Sequence, residues 1–196
     1  PVAKAFSTDI GIEVASLGVQ VHGGMGFIEE TGAAQHYRDA RIASIYEGTN
    51  GIQAIDLVTR KVPLEGGNTV RLYLGELRET VKAVQASNAP AFGETAARLG
   101  EAIDSLERVT QWLLAQKMSD TTLAGATPYL RLFGTAAGGC MLAEQALTAL
   151  RSGDGAARTA LARFFAENLA VQASGLERSV TEGADSINNA QAALDA

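Results

Sequence analysis

The chain has 196 residues, of which 46% are hydrophobic and 19% charged, and carries a formal net charge of −6. That composition describes a folded globular protein, not a disordered one, with enough chain for one large domain or two small ones, each with a core. The acidic balance gives no electrostatic basis for nucleic acid or an anionic membrane surface, the single cysteine Cys140 leaves no internal disulfide, and no stretch nears the roughly 20 apolar residues of a bilayer span.

A lone cysteine and the absence of a visible signal peptide fit a reducing compartment, so a cytoplasmic protein is expected. The sequence opens at Pro1 without a methionine and is helical in pattern almost at once, which points to a piece of a longer protein. Alanine and leucine dominate and proline occurs only four times, so helices are expected throughout. The first runs from Val2 to Val21, with Phe6, Ile10, Val14, Leu17 and Val21 at helical spacing. It stops in "HGGMGF", where consecutive glycines permit backbone angles other residues avoid. Thr31 can cap a second helix over 32–45, and after a polar break at 47–50 a third runs over 51–61. That helix buries Ile52, Ile55 and Val58 or a neighbouring face.

"VPLEGGN", 62–68, combines proline, two glycines and no period, and is the best boundary in the chain. Four amphipathic patterns follow. Val70, Leu74, Leu77, Val81 and Val84 form one seam; Leu99, Ile103, Leu106, Val109 and Leu113 form the next, with Asn88 and Pro90 as start signals. The third begins either at Asp120 with a kink at Pro128 or at Pro128 itself. The fourth places Leu161, Phe165, Leu169, Gln172, Leu176 and Val180 in register. The expected fold is therefore all-α: a helical segment over 1–62, then an antiparallel four-helix bundle over 68–196, with the terminal "NNAQAALDA" fraying.

Two places could carry chemistry. Glu47, in "YEGTN", either caps the helix after it or stands as a base at the rim of a pocket. Gly23, Gly24 and Gly26 either turn the chain or expose amides to a phosphate. His22 and His36 have no partners at metal-ligand spacing, and no metal is expected. Cys140 reads as a small core residue, Trp112 as core or interface, and Gly134 with Gly138 as a helix–helix approach. Glu29 and Glu30 read as a solvated loop, and Arg38, Asp39 and Arg41 as ion pairs on a helix surface or an interface.

The words "VQVHGGMGF" and "YRDARIASIYEGTNGIQ", in that order, resemble the carboxyl-terminal signature of flavin-dependent acyl-CoA dehydrogenases. The match is dense over 15–61. In that family the segment belongs to the last helical domain, after an amino-terminal helical domain and a β domain, neither of which is present here. The chain after "VPLEGG" is similar to an appended domain in the branch that includes 3-methylmercaptopropionyl-CoA dehydrogenase-like enzymes.

The resemblance implies that Glu47 is the catalytic base, taking the α-proton of an acyl-CoA while a β-hydride passes to FAD to leave a trans-2-enoyl thioester. It implies that the backbone N–H of Glu47 helps to bind the thioester oxygen, and that Gly48 lies against the acyl-CoA. It implies that Gln20, Val21, His22, Gly23 and Gly24 contact the FAD of a neighbouring subunit in a homo-oligomer, and that Thr49, Asn50 and Gly51 form a further flavin-contacting segment. Many members carry glutamine where Gly51 stands, so a side-chain contact is not carried over to that position. An electron-transfer flavoprotein is the implied partner, and fatty acid metabolism the implied setting. The chain alone, lacking the β domain, is expected to be inactive. The other reading is a non-catalytic helical interaction or oligomerisation module of a flavoprotein relative.

Overall fold

In a computed structural model that describes residues 1–194, every regular element is helical and no strand occurs among those residues. The chain opens with α1 (Val2–Val21), α2 (Gly24–Phe27), α3 (Ala33–Ala43) and α4 (Asn50–Asp56). A π-helical turn, Leu57–Lys61, continues α4. Thr31 does not cap α3. Its hydroxyl donates backwards to the carbonyls of Met25 and Ile28, and Gly32, at φ +82°, makes the turn instead.

It is the amino-terminal part of α1 that seats on the core of the fold. Ala5 is fully buried and Phe6 lies over Gly134, but Val14, Leu17 and Val21, expected on the buried face, are exposed. The reason is reach: the amino-terminal end of α1 meets the central helix of the fold, and its carboxyl-terminal half extends beyond it with α2 and α3 as neighbours. The face of α4 differs too. Ala54, Leu57 and Val58 go inward, whereas Ile52 and Ile55 face out.

The link after α4 is compact because Glu65, Gly66 and Gly67 all take left-handed angles, with φ of 51°, 67° and 85°. Beyond it stand α5 (Asn68–Ala86) and α6 (Thr95–Ala115), and both seams expected from the sequence are buried in full. Each such Leu, Val or Ile contributes roughly 1.5–3 kcal/mol by leaving water. The start of α6 lies later than Asn88 and Pro90. Pro90–Phe92 form a separate 3₁₀ turn, and Gly93 at φ +49° ends it before the helix begins.

A short α7 (Asp120–Ala124) and the long α8 (Ala126–Arg151) meet at Gly125. A helix does start at Asp120, as one of the two readings has it, but the chain breaks at Gly125 and not at Pro128. Pro128 sits in the first turn of α8, where its missing N–H costs nothing. The break falls at Gly125, where a Cβ would come within 2.8 Å of Val180 Cγ1 and only glycine fits without a shift. α8 is the central element: α1, α4, α5, α6 and the helices over 156–168 and 173–181 all pack on it, so residues from both sides of the link share one core cluster. Gly134 admits Phe6 of α1, as a close-approach glycine should, and Gly139, which the pattern did not single out, admits Leu99 and Phe165. Tyr129 ties α8 to α6. Thr110 donates to the Leu106 carbonyl at 2.7 Å, so the Tyr129 hydroxyl, 2.8 Å away, is the donor to Thr110.

The fourth pattern is two helices, α9 (Ala156–Asn168) and α10 (Ala173–Thr181), joined by a 3₁₀ turn; Val180 is buried and Phe165 and Leu176 half-buried as expected, but the rest of the inward face differs. Ala162, Ala166, Ala170 and Ala173 are buried, while Leu161 and Leu169 are exposed. Where helix axes come this close, alanine fills the gap and leucine has no room. Arg108 grips Glu177 through two hydrogen bonds of 2.7 Å, joining α6 to α10. That bond holds the Glu177 carboxyl below its ordinary pKa. α11 (Ala184–Leu194) closes the described chain, so the stretch expected to fray is helical as far as Leu194, and its last two residues lie outside the described ones. Cys140 is buried, its thiol pushed up to about 12, chiefly by desolvation, which makes it a core residue and not a nucleophile.

Candidate functional site

The turn between α3 and α4 is built on two consecutive left-handed residues, Glu47 at φ +55° and Gly48 at φ +81°. Glycine takes that angle freely; a glutamate there costs about 1 kcal/mol and persists only if its surroundings hold it. They do. Gln53 Nε2 donates to the Glu47 carbonyl at 2.9 Å, and Lys4 Nζ donates to the Gly48 carbonyl at 2.9 Å. The Asn50 amide closes the turn on the Ser44 carbonyl at 3.1 Å, and the Thr49 side chain caps α4 by accepting from the Ile52 amide. Thr49, not Glu47, is thus the N-cap of the following helix.

With its backbone pinned, Glu47 presents its carboxylate outward. Among the described residues no side chain of the chain hydrogen-bonds or pairs with it, and none accepts from its backbone amide. The rim around it is apolar: Ile45, Tyr46 and Ile52 are all exposed, Tyr46 by 52% and Ile52 by 56%. Asn50 turns the other way. Its amide donates to Thr8 Oγ1 at 2.9 Å and Asp9 Oδ1 at 2.6 Å, and its oxygen accepts from Lys4 at 2.7 Å. Gly51 is open, with nothing of the chain within 4 Å of a Cβ placed on it.

The second set lies at the other end of α1. Gln20 and Val21 are in its last turn, His22 ends it with Nδ1 donating to the Gly18 carbonyl at 2.8 Å, and Gly23 starts α2 at φ +60°. Lys4 and Gln20 are separated by about 24 Å of helix at 1.5 Å per residue, so one copy of the chain does not bring the two sets together. The glycines divide their work. A Cβ at Gly23 or Gly24 meets nothing, whereas at Gly26 it runs into the Val19 carbonyl and stands 2.8 Å from His22 Cβ. Gly26→Ala is expected to destabilise the α1–α2 corner by about 1–3 kcal/mol, while Gly24→Ala is nearly neutral, in urea denaturation of the chain.

Among the described residues no group of three His, Cys, Asp or Glu side chains is placed to hold a metal ion, and no helix is long and apolar enough to cross a membrane. Lys4 and Gln53 were not foreseen as part of the Glu47 turn. Lys4 lies 43 positions upstream of Glu47, where no periodicity or short motif could have connected them.

Comparison with known proteins accounts for nearly the whole chain. Residues 1–62 match the family model described as acyl-CoA dehydrogenase, C-terminal domain, and residues 73–191 the one described as acetyl-CoA dehydrogenase C-terminal like. The chain is 43% identical over 196 residues to 3-methylmercaptopropionyl-CoA dehydrogenase of Ruegeria pomeroyi, covering 95% of this chain and 33% of that protein. It is 30% identical over 186 residues to the broad-specificity linear acyl-CoA dehydrogenase FadE5 of Mycobacterium tuberculosis, covering 86% of this chain and 30% of that one. With butyryl-CoA dehydrogenase of Syntrophomonas wolfei it shares 29% identity over 153 residues, covering 77% and 25%. The chain thus spans about a third of the length of these relatives, or less. An all-helical fold, a signature spanning α1 to α4 and two adjoining family matches lead to one conclusion: the chain belongs to the acyl-CoA dehydrogenase family.

Proposed function

We propose that this chain is the carboxyl-terminal helical part of an FAD-dependent acyl-CoA dehydrogenase in which Glu47 removes the α-proton of the acyl thioester. The observation that carries the reading is the Glu47 turn: a carboxylate without a partner among the described residues, on a backbone clamped from two sides. An α-proton of a thioester is weakly acidic, so its base must be ionised, shielded from water and fixed against the carbon. The amide of Glu47, with no acceptor among the described residues, is available to the thioester oxygen as negative charge develops there, and Gly48 lets the substrate approach.

In the chain alone this carboxylate faces solvent. The shielding has to come from outside it, and the exposed apolar side chains Val14, Leu17, Val21, Phe27, Ile42, Tyr46 and Ile52 are the surface to be covered, by further chain and by a second copy in a homo-oligomer. FAD supplies the hydride acceptor when bound, with an electron-transfer flavoprotein as its onward partner. The residues present suit it: backbone at Gly23, Gly24 and Gly51 is open where a Cβ would otherwise crowd a phosphate, and Gln20 and His22 are exposed beside it. Thr49 keeps a hydroxyl proton to donate, whereas the Asn50 side chain is committed to α1 and its backbone N–H to the Ser44 carbonyl. The distance between the two sets fits a site that draws Glu47 from one subunit and the Gln20–Gly24 end of α1 from its neighbour.

The full-length protein is expected to oxidise an acyl-CoA to the 2-enoyl-CoA with bleaching of its flavin, and residues 1–196 with added FAD and acyl-CoA to give none. Turnover by the isolated chain, or a full-length protein that binds acyl-CoA without enoyl product, would overturn this reading.

A further inference from the structure

We propose that Lys4 is a positioning residue for Glu47, an inference that rests on the reading of Glu47 as the base. Its ammonium ties the turn to α1 right beside the strained residue Glu47. It donates to the Gly48 carbonyl at 2.9 Å and to Asn50 Oδ1 at 2.7 Å, and so holds the second of the two left-handed residues and the first residue of α4 to the first turn of α1.

Its partners make the grip directional. Asn50 is itself held by Thr8, Asp9 and the Ala5 carbonyl, so the amide is oriented with its oxygen toward Lys4. Thr8 in turn donates to the Lys4 carbonyl at 2.8 Å. On the opposite side Gln53 holds the Glu47 carbonyl at 2.9 Å. The base therefore hangs between a clamp from the following helix, α4, and a clamp from α1, and α1 is in turn seated on α8, with Phe6 over Gly134. Without Lys4, Asn50 stays bonded to Ala5, Thr8 and Asp9, but the Gly48 carbonyl loses its tie to α1, and the left-handed pair is left free to shift, which moves the carboxylate off the substrate.

The test is made in the full-length enzyme with Lys4→Met, which keeps the aliphatic stem, and Lys4→Arg, which restores a donor. Lys4→Met is expected to lower kcat by about 10- to 100-fold with KM for acyl-CoA changed less than about 3-fold. Amide hydrogen exchange over 46–50 is expected to quicken by about 10-fold while exchange in α6 stays as it was. Lys4→Arg is expected to recover most of both effects. An unchanged exchange rate in the turn overturns the proposal whatever happens to kcat, and so does a fall in kcat matched by an equal loosening of α6, which would mark a general loss of stability. Glu47→Gln, run alongside, separates the two readings. If that variant retains turnover, Glu47 is not the base, while the exchange data still decide whether Lys4 holds the turn.

Discussion

Glu47→Gln in the full-length enzyme is expected to lower kcat by about 10³-fold, within the 10²- to 10⁴-fold range of a lost general base, and to leave both KM and the unfolding midpoint close to those of the parent. The two side chains have the same length and shape, and among the described residues the carboxylate has no partner to lose, so the substitution does not disturb the fold. The backbone contacts that hold the turn, from Lys4 and Gln53, involve carbonyl oxygens and survive the change. What is lost is only the capacity to accept a proton. Glu47→Asp makes the complementary point. It keeps the charge but draws it back by one methylene on a turn that cannot follow, so an intermediate loss in kcat is expected, recovered by neither higher substrate nor higher pH. A glutamine variant within a factor of about three of the parent would remove Glu47 from the chemistry, since no positioned base contributes so little.

How much of this was legible in the sequence depends on how far apart the cooperating residues lie. Glu47 stood out because its neighbours Tyr46, Gly48 and Thr49 are contiguous with it and form a recognisable word. The seams of α5 and α6 were legible because large residues repeat at helical spacing and each helix packs with its own leucines and valines inward. The same rule misled at α9, where Leu161 looked like core and Ala162 proved to be: periodicity finds a stripe, but the distance between axes decides whether large or small residues fill it. The glycines of "HGGMGF" show a related limit. Gly23 and Gly24 are open and Gly26 is jammed against α1, a distinction that depends on where the preceding helix runs and leaves no mark in the sequence. Lys4 is the extreme case, a long-range contact to two backbone and side-chain oxygens with no spacing rule behind it.

Leu99 and Gly139 carry the second large prediction, because they fill one space between them. Leu99 is fully buried on α6, and a Cβ placed on Gly139 of α8 would lie 2.5 Å from its Cδ2 and 3.3 Å from the Phe165 ring of α9. This is where the three helices close on one another. Leu99→Ala should cost about 2–5 kcal/mol, the lost transfer energy together with the cavity that α8 and α9 cannot collapse to fill. Gly139→Ala should cost about 1–3 kcal/mol from overpacking, reduced by the roughly 1 kcal/mol that alanine gains over glycine inside a helix. In the double variant the new methyl group on α8 occupies part of the space the leucine leaves, and the substituted glycine position keeps its gain in helix propensity without the clash. The pair should therefore be less destabilised than the sum of its parts by about 1–3 kcal/mol, the range found for residues in direct contact. Urea denaturation of the parent, both single variants and the double variant measures this coupling. Additivity to within about 0.5 kcal/mol would mean that the α6–α8–α9 contact yields elsewhere, and that Gly139 is not what lets these helices approach.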